Sequence, residues 1–217
     1  MLYLLGLYFS KTKGLFGMEK EVIKSTVLDA IKHRRSTRSF LKDPVPEEII
    51  NEIVEAGRFS PSATNSQLTH FYIITNAEKR AELRAVVTAV LAATQEQEGM
   101  SPIFLSLLKR AREGEVDVTY GAPALIVTTN KKGSPNAVAD CSCTLQNMML
   151  AASVNGIANV WINQFYLLRD APGIKDFFAS IGVTEEEDIC GALSLGYSEE
   201  IETEPLPRTG FPVTYIR

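Results

Sequence analysis

Arg34, Arg35 and Arg38 are interleaved with the hydroxyls of Ser36 and Thr37 in the stretch HRRSTRSF, which runs from His33 to Phe40. A guanidinium fork binds phosphate oxygens in bidentate fashion, and neighbouring hydroxyls fill the acceptors that remain. The mixture reads as an anion cradle, with a solvated helix end and a basic kinase-substrate pattern at RRST as the alternative readings of the same stretch. A second stretch of interest is SPSATNSQLT, Ser60 to Thr69, made of small and polar residues with no periodicity. Such a loop, set directly between a helix and a strand, offers directional hydrogen bonds without regular structure.

Other chemistries are absent from the pattern. There is no GxGxxG after a strand, no phosphate-binding P-loop and no HExxH, so nucleotide or metal binding by those devices is not indicated. Ser194 in ALSLG falls short of a nucleophile elbow, which needs a helix straight after the turn, whereas SEEIETEPLP follows here. His33 and His70 have no Cys or Asp at ligand or triad spacing, and they read as a helix-end and a strand-start residue. Cys141, Cys143 and Cys190 include no CxxC pair, and an odd count suits reduced thiols rather than a disulfide framework or a zinc site. The CSC stretch is expected in the core. No catalytic side chain and no metal ligand set emerges.

The elements that must position these groups follow from periodicity. Ile23, Val27, Ala30 and Ile31 mark one face of a helix over Val22 to Lys32, which delivers the arginines at its end. In DPVPEEIINEIVEAGRF a Pro at the first helical position, Glu47 and Glu48, a stripe at Ile49, Ile50, Ile53 and Val54, and Gly57 as a stop predict a second helix. HFYIIT predicts a strand after the polar loop. Ala77 to Gly99 and Pro102 to Arg112 predict helices parted by GMSP, with the placement of a mobile lid. APALIVTT is apolar throughout, as a strand buried on both faces requires. Val138, Cys141, Leu145, Met148, Met149 and Ala152 predict a long central helix from Asn136 to Asn155, closed by Gly156. ANVWI and ICGALSLGY predict two more strands, with a short helix at GIKDFFASIG between them. The tail from Ser198, with three prolines and four glutamates, predicts extended chain.

The 217 residues, 45% of them hydrophobic, suffice for one compact domain with a proper core. Net charge is −4, but residues 1 to 40 carry eight Lys/Arg against three Asp/Glu, or +5, which leaves −9 for the rest. The basic end is local, and a mildly acidic whole argues against nucleic acid as partner. Met1 to Phe9 is apolar but far short of the roughly 20 residues of a membrane span, and Lys11 and Lys13 follow it where a signal peptide places its charges first. Residues 1–17 are expected to be an appendage, with Met18 a plausible true start, and 18–217 a single domain with a C-terminal arm. No membrane partner is expected, and a cytoplasmic location is.

RRSTRSF after an N-terminal helix, PSATNSQ before a strand, YGAPALIV, DCSCTLQNMMLAASVNGIANVWI, and LSLGY followed by an arm containing PLPR come in a characteristic order. From about Ile23 to Arg208 the sequence resembles the nitroreductase-like FMN-dependent oxidoreductases. The resemblance implies an α+β fold, a mainly antiparallel sheet flanked by helices, in an intertwined homodimer joined through the long central helix. It implies FMN as cofactor and NAD(P)H as reductant, with nitroaromatics, quinones or similar small electron-poor molecules as acceptors in two half-reactions at the flavin. Specialised flavin chemistry, such as dehalogenation, ring oxidation or flavin fragmentation, and a non-catalytic flavin-binding sensor or store, are the alternatives. By position, Arg34, Arg35 and Ser36 would contact the flavin, and Arg38 would lie by the pyrimidine edge, where its charge would favour the reduced ring. Ser62, Asn65 and Gln67 would reach a flavin from the other subunit. Asn163 would offer a backbone N–H, with Ile162 packing below, and Arg208 would bind phosphate. Leu68, Thr69 and Leu206 depart from the family pattern of Pro, an aromatic and Lys, which affects the acceptor pocket and the phosphate site.

Overall fold

Side chains alternate across a strand, so a strand apolar at every position must be covered on both faces. The structure, a computed structural model, describes residues 20–114, 116–200 and 204–217. The appendage at 1–17 and the start at Met18 lie outside the described residues. The chain forms two compact units: one spans Arg35–Glu200, and the other comprises the chain up to Arg34 with the tail from Ile201.

In the larger unit, β1 (His70–Ile74), β2 (Ala124–Lys131), β3 (Ala158–Ile162) and β4 (Glu187–Gly196) form a sheet in the order β1-β2-β4-β3. Every pairing is antiparallel, as expected for an α+β fold. β2 and β4 are central, and seven of the eight residues of β2 are buried. Leu125 and Val127 of β2 face a core shared with α3 (Ala77–Ala93), α4 (Pro102–Glu113), α6 (Gln164–Leu168) and α7 (Pro172–Ser180). Ala124 and Ile126 face the opposite core, built on α2 (Glu47–Arg58) and α5 (Ala137–Val154). The register of β2 against β4 shifts between Thr128, paired with Gly191, and Thr129, paired with Ile189, so Cys190 is the extra residue of a β-bulge.

α2 starts as expected, with Glu47 and Glu48 in its first turn, though Pro46 stands at the cap rather than inside the helix. Gly57 is not a stop. It lies within α2 and is buried, and a Cβ there would come within 2.8 Å of Met148 Cγ, so the residue lets α2 and α5 approach closely. α5 ends as predicted at Gly156, whose φ of +70° allows Ile157 N–H to reach back to Ala152 O at 2.8 Å. Cys141, Leu145, Met148 and Ala152 are buried on α5, but Val138 is 43% exposed and Cys143 is also exposed, so only part of the expected core stripe faces inward. α3 and α4 are not a lid. Leu83, Val87, Leu91 and Leu108 are fully buried in the core beneath the sheet, which fixes both helices. α6, five residues long, was not expected.

In the smaller unit, α1 (Lys20–His33) places Arg34 at its end, where Arg34 N–H donates to Ala30 O at 3.1 Å. Val27, Leu28 and Ile31 on α1 are exposed. The tail from Glu204 to Arg217 forms no helix or strand, is exposed throughout, and carries Phe211, Tyr215 and Ile216 on its surface. No helix among the described residues is long and apolar enough to cross a membrane.

Candidate active site

The polar loop between α2 and β1 lines a cavity of about 760 Å³. Ser62, Asn65 and Gln67 all contribute to its wall, together with Thr69, His70 and Thr144. Thr64, Asn65 and Gln67 have φ values of 55°, 55° and 51°, so left-handed residues crowd into one tight loop. For the β-branched Thr64 this is a genuine outlier, and such conformations cost on the order of 1–3 kcal/mol each unless the surroundings hold them. They are held here. Ala63 N–H donates to Asp140 Oδ1 at 3.1 Å, Gln67 N–H donates to Ser62 Oγ at 3.1 Å, and Asn65 N–H donates to Ser62 O at 2.9 Å. Among the described residues, the side-chain amides of Asn65 and Gln67 have no hydrogen-bond partner, so their donors and acceptors are open to a ligand.

The basic stretch lies at the other edge of the sheet. Ser36 bridges Asn159 of β3 in parallel fashion, and Thr37 N–H donates to Asn159 O at 3.0 Å. Arg38 is exposed, its Nη1 donating weakly to Ser36 O at 3.5 Å. Asn163 follows β3 and caps α6. Ile162 does not pack as expected: its side chain is 1% exposed and belongs to the core with Phe165 and Phe178, because alternation along β3 turns it inward. Arg34 and Arg208 belong to the smaller unit, where Arg208 Nη1 donates to Leu206 O at 3.1 Å.

The structure thus brings Ser62, Asn65 and Gln67 together at the β1 edge and sets Arg35, Ser36 and Arg38 along β3. Between them stand β2 and β4, three inter-strand spacings or about 14 Å in all.

Bonded to His70 of the cavity wall, Glu187 gathers donors that the sequence did not mark. Its Oε1 accepts from Thr129 Oγ1 at 2.6 Å and from His70 Nδ1 at 3.0 Å. Oε2 accepts from Tyr72 OH at 2.8 Å and from Thr184 N–H at 3.2 Å. Burial alone would raise the Glu187 pKa, but the hydrogen bonds from Thr129, Tyr72, Thr184 and His70 outweigh it and hold the carboxyl at about 2. Burial, then the hydrogen bond to Glu187 and its charge, push the Tyr72 phenol up to about 12. Cys141 and Cys190 pack together; a hydrogen bond from Cys190 lowers the Cys141 thiol, and the same bond with burial raises Cys190. No group of His, Cys, Asp or Glu able to hold a metal occurs among the described residues.

The nitroreductase family model matches residues 31–197, which is most of the chain. The chain belongs to the nitroreductase family. A nitroreductase from Bacteroides fragilis, solved with bound FMN, superposes with a TM-score of 0.79 at 30% identity, covering 88% of this chain and 98% of that one. A nitrobenzene nitroreductase from Ectopseudomonas oleovorans is 26% identical over 204 residues, 79% of this chain and 86% of its own. A Methanothermobacter thermautotrophicus protein, provisionally named NADH dehydrogenase/NAD(P)H nitroreductase, is 28% identical over 186 residues, 84% of this chain and 83% of its own. This nitroreductase-family chain therefore shares its fold with these relatives and aligns over most of their length. Sequence reasoning overlooked Asp140, although a carboxylate in a helix expected in the core is a visible signal, and it overlooked Glu187, whose partners are drawn from two strands and a turn.

Proposed function

We propose that this chain is an FMN-dependent oxidoreductase that acts as a homodimer, with NAD(P)H as reductant and nitroaromatics, quinones or similar electron-poor molecules as acceptors. The observation that carries this reading is the cavity whose polar wall is held in strained left-handed backbone. The relatives support it: one holds FMN, and another is named for reducing nitrobenzene.

The residues fit the cofactor. FMN offers a phosphate dianion, a polyol and a ring with polar edges. For the phosphate the chain has Arg34, Arg35, Ser36 and Arg208, and for the polyol and ring it has Ser62, Asn65, Gln67 and the backbone at Asn163. Bound FMN would supply the hydride chemistry that no side chain here provides. Arg38 would place a fixed positive charge beside the pyrimidine edge, where charge builds up on reduction. Ile162 contributes backbone only, since its side chain lies in the core.

The dimer reading rests on surfaces this chain does not cover. α5 leaves the large apolar side chains of Val138 and Val154 exposed at 43% and 65%. The exposed Val27 and Ile31 of α1, and Phe211 and Ile216 of the tail, extend the same argument. Two copies would also let the β1-edge loop of one subunit meet the β3-edge arginines of the other, two segments that β2 and β4 separate within a single chain.

The test is Arg38→Ala, studied at saturating FMN. A lower flavin reduction potential and slower reduction by NAD(P)H in stopped flow are expected. An unchanged potential together with an unchanged rate would remove Arg38 from the ring edge.

A further inference from the structure

α5 is apolar where it meets the sheet, but three polar side chains, Asp140, Thr144 and Asn147, follow one another along a single stripe of it. Their spacing of four and then three residues keeps them on one face. Each is bonded to the same stretch of chain. Asn147 Nδ2 donates to Ala56 O at 3.2 Å, Thr144 Oγ1 meets Ser60 Oγ at 2.7 Å, and Asp140 Oδ1 accepts Ala63 N–H at 3.1 Å. The end of α2 and the start of the cavity loop therefore run antiparallel to α5, tied at three successive points.

Proton counting sharpens the middle contact. The Thr144 hydroxyl donates to Asp140 O at 3.0 Å, so Ser60 must be the donor in the 2.7 Å contact. Asp140 is 7% exposed and Thr144 is 2% exposed. Buried polar groups are costly unless bonded, and apolar residues would pack α5 on α2 without that demand. Asp140 also sits in the first turn of α5, where the helix favours negative charge. Immediately beyond the last tie come the left-handed residues Thr64, Asn65 and Gln67, a conformation that persists only when its surroundings over-determine it.

We infer that Asp140, Thr144 and Asn147 are positioning residues for the FMN site: a polar ladder on α5 that fixes the Ser62–Gln67 loop in its strained, ligand-ready form. The inference rests on the FMN reading proposed above and adds to it the device that sets the loop. Asp140, the last rung before the strained residues, carries the largest share.

The experiment combines hydrogen exchange of the flavin-free protein with FMN titration, applied to Asp140→Ala, Asp140→Asn, Thr144→Val and Asn65→Ala. Asp140→Ala should speed exchange of the 62–67 amides while leaving β2 and β4 protected, and should weaken FMN binding about tenfold, or about 1.4 kcal/mol. Asp140→Asn keeps an acceptor oxygen in place and should return both readouts close to the parent. Thr144→Val, which conserves volume, should loosen the same loop to a smaller degree and keeps the test valid should Asp140→Ala fail to fold. Unchanged loop exchange in Asp140→Ala, or in Thr144→Val where Asp140→Ala does not fold, would overturn the ladder, as would an Asn variant as loose as the Ala variant. If Asp140→Ala loosens the loop but Asn65→Ala binds FMN like the parent, the ladder stands as the loop's anchor and the assignment of that loop to the flavin falls.

Discussion

The loop ahead of β1 is tied at nearly every residue, whereas the basic segment beside β3 is held at Ser36 and Thr37 by its backbone and leaves Arg38 exposed. Both segments border the same sheet and both carry candidate ligands for one cofactor. The difference reflects the interaction each would make. Hydrogen bonds are directional and weaken steeply off line, so an amide that must meet a polyol or ring atom needs a fixed backbone, here even a strained one. A charge acts across several ångströms with little angular demand, so an arginine can work from an unstrained, exposed position. One edge offers geometry and the other offers field.

The largest expected effect tests charge at the end of α1. Arg34→Ala removes a charge-assisted contact worth roughly 1.5–3 kcal/mol, so FMN binding measured by titration should weaken by about ten- to a hundredfold. Full retention of flavin affinity would return the arginines to the account of a solvated helix end.

The next tests the tied edge. Glu187 gathers His70 and Tyr72 of β1 and Thr129 of β2, and Glu187→Gln should cost about 1–3 kcal/mol in denaturant unfolding by leaving those donors poorly matched. The sign with pH follows from its depressed pKa of about 2. The carboxylate stabilises the fold above its unfolded pKa of about 4.3, and that contribution is lost as pH falls from there toward the folded value. The parent should therefore lose stability in that acid window more steeply than Glu187→Gln, and parallel curves would contradict the assignment.

The smallest effect tests the strain. Thr64 has a φ of 55°, and glycine adopts that region freely, though it adds freedom to the unfolded chain. Thr64→Gly should raise stability by no more than about 1 kcal/mol, read as a small rise in melting temperature. A clear loss would mean that the Thr64 side chain contributes more than its backbone costs.

Much of this architecture was legible because its signals are local. The isoleucine stripe of α2 and the unbroken apolar run of β2 specify helix and buried strand on their own terms. What was misread depends on neighbours distant in sequence. Gly57 looks like a stop until Met148 is seen packed against it. Ile162 is a plausible flavin contact until the alternation of β3 is anchored to β4, which turns it into the core. The expected lid failed for the same reason, since only the packed structure shows Leu83 and Leu108 to be core residues. For the site, the polar loop and the arginines could each be picked out by residue type. Their separation by two strands could not, because strand order is a tertiary property. Asp140 was visible as a polar residue in an apolar helix, but its partner, the Ala63 N–H, carries no signature in sequence at all.

The central claim is that the two edges serve one cofactor only across a dimer, and subunit mixing addresses it most directly. Protein carrying Arg35→Ala and protein carrying Asn65→Ala, each poor in flavin, would be unfolded together, refolded and assayed for bound FMN. The account expects the mixture to bind clearly more flavin than either parent, because each heterodimer regains one intact site while its other site carries both lesions. A mixture that never exceeds its parents would place the complete site within a single chain and contradict the shared-edge account.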